Sequence, residues 1–168
     1  MTRGLRLRVV LFLAASLIAG CAAKPPPGPT IPPAPPPLKA TVVQASFEAA
    51  ANVNPDSNGR ASPVVVHFFE LKSPAAFEGA DFFSLFEREK ETLGADLVAR
   101  EELLLTPGGK QQLERRLDPA TRYVAVIAAF RDLDRAKWRA YVEAPLSKVT
   151  PVVVRLQSRE VSMSIPQK

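Results

Sequence analysis

From about residue 38 onward, apolar and polar side chains alternate with a period of two, and that pattern leaves little room for anything but β-sheet. In "SPVVVHFFELK", Val65, His67, Phe69 and Leu71 share one face, while Val64, Val66, Phe68 and Glu70 share the other. Both faces are largely apolar, which predicts a strand in the middle of a sheet with both sides covered. "RYVAVIAAFRD" behaves in the same way. The later runs alternate more cleanly. "KWRAYVEA" sets Trp138, Ala140 and Val142 against Arg139, Tyr141 and Glu143, and "PVVVRLQ" sets Val152, Val154 and Leu156 against Val153, Arg155 and Gln157. "EVSMSI" places Val161, Met163 and Ile165 on one side, and "QQLERRLD" offers Leu113 and Leu117 around Arg115. "LKATVVQASFEAA" supplies a first strand, and one more is expected between Leu97 and Leu105. Turn signals at "NPDSNG", "TPGGK", "LDPAT" and "APLSKVTP" separate the runs. Strands this closely spaced, without a helix between each pair, predict a mainly β fold: an antiparallel β-sandwich rather than a parallel α/β sheet.

One insertion departs from the period of two. In "SPAAFEGADFFSLFEREKETLG", Phe82, Leu85, Phe86 and Leu93 recur at helical spacing, with Glu87, Arg88 and Lys90 left for the wet side. Gly94 is placed to stop the helix. The spacing predicts a helix laid across one face or end of the sandwich. An amphipathic helix lying on a membrane is the competing reading, and core packing accounts for the same apolar face more simply.

The N-terminal part has a different character. Arg3, Arg6 and Arg8 precede the apolar run "VVLFLAASLI", and the small pair Ala19-Gly20 follows it, as in a secretory signal peptide. The run is about ten residues long, against the roughly 20 that a membrane-spanning helix needs, so it reads as a removable leader. The only cysteine, Cys21, comes next. A single cysteine can form no intramolecular disulfide and has no neighbours for a metal site. "LIAGC" resembles the lipobox of bacterial lipoproteins. The resemblance implies that Cys21 becomes the first residue of the mature chain, carrying a diacylglycerol thioether and a third, amide-linked acyl chain. At about 0.8 kcal/mol per buried CH₂, three such chains hold a protein to a bilayer for its lifetime. Ala22, where inner-membrane lipoproteins tend to have Asp, implies an outer-membrane destination with the globular part in the periplasm.

Residues Lys24 to Pro37 hold nine of the chain's 17 prolines. Such a segment favours extended polyproline II, and the stretch from Cys21 to Leu38 spans up to roughly 50 Å at about 3.1 Å per residue. A semi-rigid stalk is the favoured reading, over a ligand for a proline-binding module. Three parts follow: a signal peptide over 1–20, a lipidated cysteine with Pro-rich linker over 21–37, and one β-sandwich domain over 38–168, long enough to bury a proper core.

Charge and composition narrow the function. The sequence pI of about 9.7 suggests nucleic acid at first sight. Removing the three leader arginines from the 22 Lys+Arg leaves 19 against 17 Asp+Glu, a net charge of only +2. No block of like charges forms a basic patch in sequence, which argues against nucleic-acid binding. His67 is the sole histidine and lies mid-strand among apolar neighbours, a poor setting for a general base. One His, no spare Cys and scattered carboxylates give no zinc spacing. Asp132 and Asp134 form a D-x-D without the other ligand positions of a calcium loop. "PGGKQ" lacks the upstream glycine and the Ser or Thr of a phosphate-binding loop. Glu101 and Glu102 point to opposite faces if that stretch is a strand. No catalytic residue and no metal site is expected, and the sequence reads as a binding or structural protein. The segment "NVNPDSNGRASP", Asn52 to Pro63, is the best place for binding: it joins two strong strands, is too long for a tight hairpin, and concentrates turn-formers around one cation, Arg60. A plain surface connection explains the same residues.

Several stretches in order behind the lipobox resemble one family, the TssJ outer-membrane lipoproteins of type VI secretion systems. They are the asparagine-proline loop leading into "SPVVV", the following "ELKS" and phenylalanine-rich helix, "LLLTPGGK", and "AAFRD" followed shortly by Trp138. The resemblance implies a transthyretin-like β-sandwich with added helical elements. It implies a tethering role, in which the lipoprotein grips the periplasmic C-terminal domain of TssM, which in turn associates with TssL. The family's loop between its first two strands takes part in that grip, and the matching positions here are Asn54, Pro55, Asp56, Ser57, Asn58, Gly59 and Arg60. No cofactor is implied beyond the lipid on Cys21, and no small-molecule substrate. Two other classes fit the residues: a pilotin- or chaperone-like envelope lipoprotein, and a periplasmic hydrolase or inhibitor domain built around His67.

Overall fold

The computed structural model describes residues 40–166; the leader, Cys21 and the proline-rich linker lie outside the described residues. Each stretch with a period of two forms a strand: β1 (Val42–Ala49), β2 (Val64–Leu71), β3 (Leu97–Leu105), β4 (Lys110–Arg116), β5 (Tyr123–Ala128), β6 (Arg139–Glu143), β7 (Val149–Leu156) and β8 (Val161–Ser164). They form two four-stranded sheets, ordered β4-β1-β7-β8 and β3-β2-β5-β6. Their facing sides share one core, including Val43 and Phe47 of β1, Val66 and Phe68 of β2, Val126 of β5 and Val154 of β7. The rings of Phe47 and Phe68 meet edge-on across the two sheets at 6.3 Å.

The alternation predicts which residues face inward but is silent on strand direction. Five of the six strand pairs are antiparallel, as expected, whereas β1 and β7 run parallel, Val42 opposite Val149 and Ala49 opposite Leu156. The reason lies in the connection from β6 to β7, which crosses from one sheet to the other and starts β7 at the end where β1 also starts. Pro151 sits inside β7 without cost because β8 pairs only with Val153 to Leu156, so no neighbour on that side needs the missing N–H.

The insertion between β2 and β3 covers the outer face of the second sheet. Phe77, Phe82, Leu85 and Leu93 pack on Phe69 and Leu71 of β2 and on Ala125 and Ile127 of β5. This explains why β2 is apolar on both sides. The insertion is three short helices rather than the single one expected: α1 (Ala75–Gly79), α2 (Phe82–Glu87) and α3 (Glu89–Leu93), followed by a 3₁₀ turn over Gly94–Asp96. Two backbone breaks divide it. Ala80 is extended, and the Asp81 carboxylate starts a new helix by accepting from the Ser84 N–H at 3.0 Å and the Ser84 hydroxyl at 2.6 Å. Those Ser84 hydrogen bonds hold the Asp81 carboxyl below its ordinary range. Arg88 (φ −133°, ψ 39°) separates α2 from α3. Gly94, at φ +51°, ends α3 as the sequence suggests. From β6, the Arg139 guanidinium donates to the carbonyls of Phe77 and Ala80 at 3.1 and 2.9 Å, tying off the free carbonyls at the end of α1.

The sandwich has two distinct ends. At the first, Thr41 enters β1; its carbonyl accepts from the Leu117 N–H and its hydroxyl from the Ser147 N–H, both at 2.9 Å. The β4–β5 and β6–β7 connections lie there. At the far end sit the β1–β2 loop, the β3–β4 turn, the β5–β6 loop and the β7–β8 turn, joined by Ala49 N–H to Gly109 O and Ala50 N–H to Leu156 O. The length of β1, roughly 25 Å at about 3.3 Å per residue, separates the two.

Phe77 is fully buried, with its ring edge-on to Phe69 at 6.0 Å and to Tyr141 at 6.4 Å. Phe77→Ala should therefore lower the unfolding free energy by about 3–5 kcal/mol. In urea the midpoint should fall with an unchanged slope; a midpoint within error of the parent would mean that the helical layer contributes little.

Candidate functional site

The β1–β2 loop is built around one inward-facing amide. Asn54 is 3 % exposed and adopts φ +50°, a left-handed conformation that Asn tolerates better than most residues. Its N–H donates to Ser158 O at 3.0 Å, in the β7–β8 turn. Its side-chain Nδ2 donates to Pro63 O at 2.7 Å, and its Oδ1 accepts from the Arg131 N–H at 2.8 Å, in the β5–β6 loop. A single residue, through its side chain and its backbone N–H, thus locks three connections at the far end of the sandwich. Val53, fully buried, plugs the loop's base into the core.

Beyond Asn54 the chain closes on itself. The Asp56 N–H donates to Arg60 O and the Gly59 N–H to Asp56 O, both at 2.9 Å. Asp56 Oδ1 accepts from the N–H groups of Asn58 and Arg60 at 2.8 and 3.0 Å, and Oδ2 accepts from Arg60 Nε at 2.8 Å. The Arg60 N–H, together with the Arg60 guanidinium and the Asn58 N–H, holds the Asp56 carboxyl below its ordinary range. Gly59, at φ +79°, supplies the left-handed turn that lets the tip close. The seven positions singled out in the sequence therefore divide into two groups. Asn54, Pro55 and Asp56 are the frame. Ser57, Asn58, Gly59 and Arg60 are exposed, and the Arg60 side chain is 78 % exposed.

The fold adds residues to this end that linear reading did not connect with the loop. Arg131 follows the β5 strand and stands beside Asn54, and Arg159 arrives from the β7–β8 turn. Asp132 pairs with Arg159 at 2.9 Å and approaches Arg135 at 3.9 Å, so this first carboxylate of the D-x-D serves as a loop brace. Sequence separation hid these partners: Asn54 and Arg131 are 77 positions apart.

His67 is 2 % exposed and lies under Phe86, their rings stacked at 4.4 Å with 7° between planes. Its Nε2 is 3.1 Å from Glu102 Oε2 and 3.0 Å from Arg100 Nη1. Burial first, and then the Arg100 charge, push the His67 pKa down, so the ring stays neutral near pH 7. Among the described residues no serine hydrogen-bonds this ring, and a packed imidazole offers no access to a substrate. Glu102 faces His67, while Glu101 faces the other way to Arg115 at 3.1 Å, the opposed arrangement expected of neighbours in a strand. Among the described residues no group of three or more His, Cys, Asp or Glu side chains is placed to hold a metal ion.

The family model for type VI secretion lipoproteins (VasD, EvfM, TssJ) matches residues 41–159. The chain is 37 % identical to the type VI lipoprotein TssJ1 of Pseudomonas aeruginosa, with a TM-score of 0.74 over 77 % of this chain and 98 % of that one. It is 25 % identical to Lip of Serratia marcescens, a membrane-bound component of the type VI secretion system, with a TM-score of 0.68 over 76 % and 98 %. A chain of a type VI membrane complex is 26 % identical, with a TM-score of 0.66 over 77 % of this chain and all of that one. No curated protein sequence matches. The family match spans β1 to β7, the helical layer and the Asn54 loop, and with the overlap on 98 % of TssJ1 it shows that the chain belongs to the type VI secretion lipoprotein family.

Proposed function

We propose that the chain tethers a periplasmic partner to the outer membrane: acyl chains on Cys21 hold one end, and the Ser57–Arg60 tip with its surrounding loops holds the C-terminal domain of TssM, and through it TssL. The observation that carries this reading is the polarity of the sandwich. The chain enters at Thr41, and the braced loop lies at the opposite end, beyond the length of β1. A likeness to a chain of a type VI membrane complex supports a place in such an assembly.

The loop is suited to recognition because it is ordered before any partner arrives. Asn54 and Asp56 fix its backbone, so binding costs little conformational entropy there. Arg60 combines an exposed guanidinium with a pre-set orientation, and arginine is enriched at binding hot spots. Tethering by lipid adds a second advantage: confinement raises the effective concentration of both proteins, and a modest pairwise affinity then suffices.

Two experiments test the two halves. Cys21→Ser should move the protein from the membrane pellet to the soluble periplasmic fraction and reduce secretion to background; full secretion by the unlipidated form would sink the anchor. Replacing Asp56 to Arg60 with a short glycine linker should weaken binding to TssM by about tenfold or more, measured by calorimetry, with the melting midpoint of the domain little changed. Unaltered affinity would move the contact off this loop.

A further inference from the structure

At the end where Thr41 enters, basic and apolar side chains crowd together around the chain's point of entry. A hollow of about 310 Å³ is lined there by Thr41, Arg116, Arg122, Leu146 and Ser147 among others. Lys148 follows Ser147, which turns the chain through φ +59°. Leu146 is 48 % and Val149 60 % exposed, two of the five large apolar side chains left open among the described residues. Arg116, Arg122 and Lys148 have no carboxylate within ion-pair distance among the described residues. The nearby Asp118 turns its Oδ1 back to the Ala120 N–H at 2.7 Å. Arg122 is held in place by donating to the Pro119 and Thr121 carbonyls at 2.7 and 3.0 Å, contacts that fix its guanidinium without neutralising it.

We propose that this end of the sandwich is a membrane-contact surface, in which Arg116, Arg122 and Lys148 take the phosphates of anionic lipid headgroups while Leu146 and Val149 dip among them. The inference rests on the lipid-anchor reading of Cys21 for its biological setting, but its chemistry belongs to the sandwich. Unpaired cations ringing exposed aliphatic side chains complement a surface that is anionic at its rim and apolar beneath. Screening confines this attraction to about 10 Å, so what counts in a chain of low net charge is cations close to the lipid and free of carboxylate partners, as Arg116, Arg122 and Lys148 are among the described residues. The chain also enters the sandwich at this end, at Thr41, so an anchor at Cys21 would keep the patch at high local concentration beside the bilayer. Weak contact is then enough to matter. Seating this end on lipid turns the Asn54 loop away from it, toward the periplasm.

The test uses the mature chain carrying Cys21→Ser, so that no acyl chain contributes, in sedimentation with vesicles of phosphatidylcholine alone or with roughly one-third phosphatidylglycerol. Each cation near an anionic surface contributes about 1 kcal/mol, or about fivefold in partitioning. The parent should prefer the anionic vesicles, losing that preference in high salt, and R116E/K148E should bind them at least ~25-fold less. Residues 1–20 are removed from both chains before the assay, so that the arginines and apolar run of the leader add no binding of their own. L146S, which leaves the charges intact, should weaken binding several-fold at equal thermal stability. Equal binding to both vesicle types, or equal binding by R116E/K148E and the parent, overturns the proposal. So does a change in sedimentation mass of R116E/K148E without lipid, alongside unaltered vesicle binding, since the patch would then serve a second copy. None of these outcomes bears on acylation, which the cell fractionation of Cys21→Ser reads separately.

Discussion

Strand β2 carries Val66 and Phe68 on one face and Phe69 and Leu71 on the other, and none of the four is more than 1 % exposed. A strand that is dry on both sides needs two covering layers. The facing sheet supplies one, through Phe47, Val154 and their neighbours, and the three short helices supply the other, through Phe77, Phe82 and Leu85. Much else follows from that requirement. The insertion between β2 and β3 exists to return across the outer face, and its breaks at Ala80 and Arg88 let short helices follow a twisted sheet that one straight helix would leave. Arg139 then has to cross from β6 to close off the carbonyls of α1.

The two sides of the sandwich are sealed differently. On one, a backbone bridge between Lys137 and Glu160 ties the β6 and β8 edges. On the other, Arg115 of β4 reaches across to Glu70 of β2 at 3.5 Å and Glu101 of β3 at 3.1 Å. Glu70 is 3 % exposed, and a carboxylate so buried is costly unless its oxygens are satisfied. Thr121 donates its hydroxyl to it at 3.0 Å and Asp118 its N–H at 3.3 Å, so the charge also organises the β4–β5 connection. Polar groups here do positional work inside an apolar frame, and His67 belongs with them: stacked on Phe86 and met at Nε2 by Arg100 and Glu102, it is part of the packing of the second sheet.

All eight strands were legible in the sequence because alternation reports directly on which side chains are buried. Partner and direction were not, since a parallel neighbour and an antiparallel one demand the same alternation; β1 against β7 is the case in point. The helical breaks were hidden for a related reason. Apolar spacing marks a face, whereas the Asp81 cap is a local hydrogen-bonding decision within a run whose spacing stays helical. The candidate loop was legible as a loop and only partly as a site. "NPDSNG" announces turns, yet nothing local shows that Asn54 faces inward to a backbone amide 77 positions away while Ser57 to Arg60 face out. Cys21 and the proline-rich segment, read from the sequence pattern as a lipid anchor and a stalk, lie outside the described residues.

The two ends of the sandwich have different physical characters, and the difference bears on how a tether works. At the far end the arginines are largely committed: Arg60 to Asp56, Arg135 and Arg159 to Asp132, with Asn54 locking the loops together. Internal pairing of this kind fixes shape, which suits recognition of one protein surface. At the entry end, Arg116, Arg122 and Lys148 have no carboxylate partner among the described residues, and Leu146 and Val149 are exposed, which suits a fluid surface that offers charge without fixed geometry. A load applied at the Asn54 loop would pass along β1 between these ends. Hydrogen bonds to β4 on one side and β7 on the other support that strand along its length, so a pull at the loop is shared across a whole sheet. A braced loop at one end and a doubly supported strand running from it to the other make the domain a stiff body.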